Sequence, residues 1–115
     1  MEIIKDFNPS EVEGTIIGVF EPAINVSRLA SFNGQIIITD SKVYVAPKFQ
    51  AGMVDAIGAG FYEPRCFSAQ EIAEYRKTGL AGYRITLKDG TEFNFSNVFG
   101  KMRKGITEAL DQVVK

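Results

Sequence analysis

Apolar and polar positions change their period several times along the chain, and each change marks an element. Gly14 to Phe20, "GTIIGVF", is short and β-branched, which predicts a buried strand that Pro22 ends. Residues 22 to 34, "PAINVSRLASFNG", predict a long connection or a second, irregular strand. Gln35 to Ala46 predict a hairpin turning at Thr39-Asp40-Ser41-Lys42. That turn sets Ile38 opposite Val43 and Ile36 opposite Val45, and such a match of apolar faces fixes register. Asp40 and Ser41 suit a type I turn because their side chains bond locally.

Residues 82 to 96, "GYRITLKDGTEFNFS", predict a second hairpin whose loop length is decided by its faces. A two-residue turn at Asp89-Gly90 would place Leu87 opposite Glu92 and Ile85 opposite Asn94, mixing apolar with polar. A three-residue loop, Lys88-Asp89-Gly90, places Ile85 opposite Phe93 and Tyr83 opposite Phe95. The longer loop is therefore expected, with Gly90 as a left-handed bulge residue. Between the hairpins, Ser68-Ala69-Gln70-Glu71 has capping-box spacing and predicts a helical turn. Ile72 to Tyr75 then either continue as helix or turn into a strand. In the last stretch Phe99, Met102, Ile106, Leu110 and Val113 recur at spacings of three and four. This predicts an amphipathic helix over 98–114, capped by Ser96 or Asn97. Residues 1 to 12 read as an N-terminal arm.

Strands, hairpins and one closing helix predict a mainly β fold with one C-terminal α-helix. A sheet with one apolar face must bury it, and one helix can cover the opening of a curled sheet. The expected architecture is a strongly bent antiparallel sheet or partly open barrel, capped by that helix. The 115 residues fit a single domain over 1–115, and 45% apolar with 23% charged residues is ordinary globular composition. A net charge of −1 points away from nucleic acid as partner. The opening residues are acidic, unlike a secretory or transit peptide, and no run approaches the ~20 apolar residues of a membrane span. With the single cysteine, Cys66, the expected setting is a reducing cytoplasm. The sequons at Asn25 and Asn94 then read as chance matches.

Three segments resemble bacterial PH-like and GRAM-type domains. "GQIIITDSKVYV" is similar to their strand-turn-strand signature, "FSAQEIAEYRKT" to the segment that follows, and "ITLKDGTEFNF" to their penultimate hairpin. Order and spacing carry the resemblance, over about Glu13 to Val114. It implies a seven-stranded PH-like barrel capped by a helix, with Ile72 to Thr78 as strand. It also implies a role in binding lipid headgroups, peptides or proteins. Phosphoinositide-binding members place several cations on the first two strands and their loop. Here Gly14 to Ile38 holds only Arg28, which puts that activity in doubt.

Chemistry is sparse. No histidine is present, so the commonest general base and metal ligand is missing, and no Ser-His-Asp or Cys-His arrangement exists within the chain. One cysteine is too few for zinc, and no cofactor or metal is expected. Cys66 is expected as a buried small hydrophobe, although the adjacent Arg65 would lower its pKa. "AGMVDAIGAG", residues 51–60, lacks a nucleotide-loop pattern, and Pro64 would break a helix that held the phosphate. It reads as a packed loop or as a contact surface, with Phe49, Met53, Ile57, Phe61 and Tyr62 as its apolar residues. Lys101, Arg103 and Lys104 read as a solvated face, with Lys104–Glu108 paired, or as a docking face for an acidic partner. The expected function is a non-catalytic cytoplasmic binding module for a protein or peptide, a second copy of the chain included. The alternative is a peripheral membrane or lipid-surface module.

Overall fold

The computed structural model describes residues 1–4, 9–25, 31–47 and 63–114. The elements are β1 (Glu2–Ile3), a short 3-10 turn (Pro9–Glu11), β2 (Ile16–Phe20), β3 (Ala23–Asn25), β4 (Ser31–Thr39) and β5 (Lys42–Pro47). Then come β6 (Arg65–Ser68), a second 3-10 turn (Ala69–Glu71), β7 (Ile72–Thr78), β8 (Gly82–Leu87), β9 (Glu92–Ser96) and α1 (Gly100–Val113).

Among the described residues one antiparallel sheet of nine strands runs β1-β6-β5-β4-β3-β9-β8-β7, with β2 also pairing with β4. β2 and β3 are two halves of one bent path along the same side of β4. Phe20 registers on Ile36 and Ala23 on Asn33, with Pro22 at the bend. Past the bend β3 stays paired with β4 and takes β9 on its other edge, so the sheet curls over itself without closing. α1 lies across the remaining gap, against β2, β7 and β4. This is the expected bent sheet capped by a helix. The resemblance implies seven strands, and among the described residues the count is nine because the bend divides one strand and β1 adds to the β6 edge.

Both hairpins take the expected register. Ile36 faces Val45 and Ile38 faces Val43; Ile85 faces Phe93 and Tyr83 faces Phe95. In the first turn, however, the local acceptor is Thr39. Its Oγ1 takes the Ser41 and Lys42 amides at 3.3 and 2.9 Å, while Asp40 reaches across to the Thr15 amide at 3.1 Å. In the second turn Leu87 accepts from the Gly90 amide at 3.0 Å, and Gly90 has φ +94°. A Cβ on Gly90 would meet nothing within 4 Å, so only its backbone conformation resists substitution. Gly90→Val is therefore expected to destabilise by more than about 1 kcal/mol, read as a lower urea midpoint, with Gly90→Asn costing less.

The segment between the hairpins resolves as turn, then strand. Ser68 and Glu71 form the expected capping box, Glu71 accepting the Ser68 amide at 2.8 Å, and the helical turn stops there. Ile72 enters β7, which pairs with β8 along its length.

Alternate residues of β4, β5 and β6 are buried on opposite faces. Ile36, Ile38, Val43, Val45 and Phe67 join the main core with Ile24, Tyr83, Ile85, Phe93, Phe95 and Val98. Ile37, Tyr44 and Cys66 form a second cluster on the outer face, covered by Ile4 and Val12 of the N-terminal arm. That explains the unbroken "III" of β4: a strand covered on both faces loses the polar alternation of a half-buried one.

Several expectations about boundaries and burial need correction. β4 begins at Ser31, not Gln35. Among the described residues β2 is an edge strand whose Ile16 and Val19 are 49% and 51% exposed, not a buried one. α1 starts at Gly100, and its N-cap position is Phe99, which is exposed and forms no side-chain cap bond. Ser96 bonds Asn25 and Asn97 sits at φ 58°, so neither caps the helix. Phe99 thus leaves the apolar stripe, and the buried face of α1 is Ile106, Ala109 and Leu110.

Candidate interaction surfaces

The helix is fastened to the sheet by polar contacts as well as by its apolar face. The Arg103 guanidinium donates to the carbonyls of Thr78, Gly79 and Gly82 at 3.4, 2.9 and 3.2 Å, clasping the β7–β8 turn. The Tyr83 hydroxyl meets Thr107 Oγ1 at 2.9 Å, and Thr107 in turn bonds the Arg103 carbonyl at 3.0 Å. The Tyr75 hydroxyl donates to Asp111, which together with desolvation pushes the Tyr75 pKa up to about 12. Nearby, the Phe20 ring lies between Gly18 and Gly105, 2.7 Å from where a Cβ on either would sit. The small residues of strand and helix are what admit the ring.

These contacts divide the three cations read as one docking face. Arg103 holds the turn carbonyls, Lys104 pairs with Glu108 at 3.9 Å, and Lys101 is exposed. Phe49, Met53, Ile57, Phe61 and Tyr62 lie outside the described residues, as does all of 51–60. Cys66 is buried on the outer face, and burial pushes its thiol pKa up. Lys42 opposes this only in part, so the lowering expected from Arg65 does not prevail and the group is the inert hydrophobe of the sequence reading. The two sequon asparagines face each other across β3 and β9. Arg84 donates to Asn94 at 2.8 Å and Ser96 to Asn25 at 3.0 Å, so both amides work in a polar ladder. Among the described residues no cluster of three metal-ligating side chains occurs, and no helix is long and apolar enough to cross a membrane.

Two apolar surfaces stand out that pattern reading missed. The first is the outer face of β2. Val19 registers on Ile37, Ile37 on Tyr44 and Tyr44 on Cys66, so one apolar row crosses four strands. The arm covers the row from Ile37 onward, and Val19 and Ile16 continue it uncovered at the edge. A shift of register between Ile16 and Gly18 lets both point outward, which strict alternation would not have shown. The second is the β7–β8 turn with the start of α1. Leu80 is 97% exposed and Phe99 63%. The Val98 amide bonds the Ala81 carbonyl at 2.9 Å, so these two residues flank a single backbone contact. A signal was present here: Leu80 is a lone large apolar residue among Gly79, Ala81 and Gly82.

No family model and no curated protein matches the chain. Among solved structures, it is similar to one described as the crystal structure of the C-terminal domain of an unknown protein from Leishmania infantum. The match covers 88% of this chain and 85% of that one, with a TM-score of 0.65 and 15% sequence identity. At that identity, what this chain shares with the neighbour is its fold: an open, bent β-sheet closed by a C-terminal helix.

Proposed function

We propose that the chain is a non-catalytic binding module of PH-like type that takes an extended segment of a protein partner along the edge of β2. The observation that carries this reading is the exposed pair Ile16 and Val19 on a strand that, among the described residues, pairs with β4 alone. An edge strand with exposed apolar side chains is a ready template for another strand, and folds normally blunt such edges with charge or proline. β2 carries neither between Ile16 and Phe20. An added strand would gain main-chain hydrogen bonds, and its alternate side chains would extend the row ending at Val19. The helix touches β2 through Gly18 and Phe20, which leaves the outward residues accessible. The resemblance to PH-like domains, the absence of histidine and the buried thiol all favour binding over catalysis.

The test is selection of binders from a random peptide library, followed by amide exchange on the complex. Bound peptide is expected to slow exchange at residues 16 to 20, and Val19→Lys is expected to abolish binding while the urea midpoint stays put. Protection confined to other strands, or binding unchanged by Val19→Lys, places the partner elsewhere.

A further inference from the structure

The outer cluster has a cover that the main core does not share. Ile37, Tyr44 and Cys66 are buried, and Ile4 and Val12, which lie over them, are themselves half-buried. Among the described residues, none before Ile17 packs into the main core. β1 gives β6 two registered residues, Glu2 on Cys66 and Ile3 on Arg65, and the Ile4 amide donates to the Pro64 carbonyl at 2.8 Å. The Met1 amine pairs with Glu71. At the other end of the arm, the Glu13 amide donates to the Tyr44 hydroxyl at 2.9 Å, and Lys42 pairs with Glu13 at 3.1 Å. We infer that the N-terminal arm, anchored through residues 1–4 and 12–13, is a displaceable strap. It shuts the β6 edge and the outer cluster, and it leaves them as a unit while the main core stays folded.

Two comparisons carry the inference. The first is between opening the strap and unfolding the domain. Opening gives up the contacts of two half-buried aliphatic side chains and a few surface bonds, and it returns conformational freedom to the arm. Unfolding gives up the whole main core. Segments with few buried apolar contacts open locally, well below the free energy of global unfolding. The second is between what the strap contributes and what it hides. On one edge β6 pairs with β5, and on the other, among the described residues, with β1 alone. Release of β1 frees the backbone of Arg65 and Cys66 for another strand. It also bares Ile37, Tyr44 and Cys66, so the apolar row that begins at Val19 becomes continuous across four strands. The strap is thus an internal occupant of an edge that an incoming strand would need. The β6 edge lies at the far end of that row from β2, and either edge can fail its test without the other.

Cys66 is the single thiol of the chain and lies under the strap, so it reports the open state. The experiment is labelling of Cys66 in the full chain with excess iodoacetamide, followed by mass. Labelling is expected at a rate that low urea leaves almost unchanged, because a local opening exposes little surface. Ile4→Ser and Val12→Ser should each speed it about tenfold, the factor for ~1.4 kcal/mol of lost apolar contact. Ile106→Val weakens the main core in the strapped and unstrapped forms alike. It should lower the urea midpoint and leave the labelling rate as in the parent. In amide exchange on the parent, Ile4 and Glu13 should open with one common free energy, below that of β8 and β9. Labelling that rises steeply with urea and is sped by Ile106→Val means that the thiol is reached through global unfolding, and overturns the inference. So does labelling that neither Ile4→Ser nor Val12→Ser changes. Separate opening of Ile4 and Glu13 overturns it as well, since the arm would then be two independent contacts.

Discussion

Leu110→Ala is expected to lower the urea midpoint of unfolding sharply, with a loss of ~2–5 kcal/mol. Leu110 is 0% exposed and sits in the main core with Ile106 and Ala109 of the same helix face. Alanine is at least as good a helix former as leucine, so α1 itself is not weakened by the change. The loss is one of burial and packing, and it falls where the helix spans the gap between β2 and β7. A domain of this size has a total stability of ~5–15 kcal/mol, so the variant would hold only part of its margin. The slope of free energy against urea should stay constant, since the same surface is exposed on unfolding. Coincident midpoints for variant and parent would mean that the helix does not close the sheet.

Gly34→Ala is expected to destabilise the fold by ~1–2 kcal/mol, although alanine in place of glycine ordinarily helps a strand by ~0.5–1 kcal/mol. The added Cβ would overlap the Cδ1 and Cγ1 atoms of Ile24 and lie 3.3 Å from the Ala46 carbonyl oxygen. Ile24 is itself buried in the main core on β3, so moving its side chain would disturb close-packed neighbours. Overpacking therefore outweighs the entropic gain. The pair should behave non-additively: Ile24→Ala alone costs ~2–5 kcal/mol, and adding Gly34→Ala to it should cost less than in the parent. Strict additivity in chemical denaturation would show that the two residues do not contend for the same volume.

The hairpin registers follow from local rules acting on side chains a few residues apart. Ile36, Ile38, Val43 and Val45 share a face only if the turn falls at residues 39 to 42, and Ile85 meets Phe93 only with a bulge at Gly90. Period, turn chemistry and face matching all lie within a dozen residues of sequence, so the sequence by itself determined these elements and the mainly β class with its closing helix. The resemblance added the strand at Ile72 to Thr78, which propensity left open against helix.

Tertiary structure decided which strands became edges and which face of each was covered. "GTIIGVF" has the composition of an interior strand, yet only the curling of the sheet makes β2 a boundary with Ile16 and Val19 outside. The outer cluster of Ile37, Tyr44 and Cys66 depends on an arm more than 20 residues away along the chain. Arg103 reads as one of three surface cations until the β7–β8 turn is brought beneath it, and its guanidinium then becomes a structural clasp. Phe99 fits the helical stripe by spacing alone, and leaves it because the helix begins one residue later. For the strand edge, the outer cluster and the clasp, the deciding contact joins residues distant in sequence. Hydrophobic periodicity records how much of a side chain must be buried, but not which neighbour buries it, and both candidate surfaces lie where no described neighbour does.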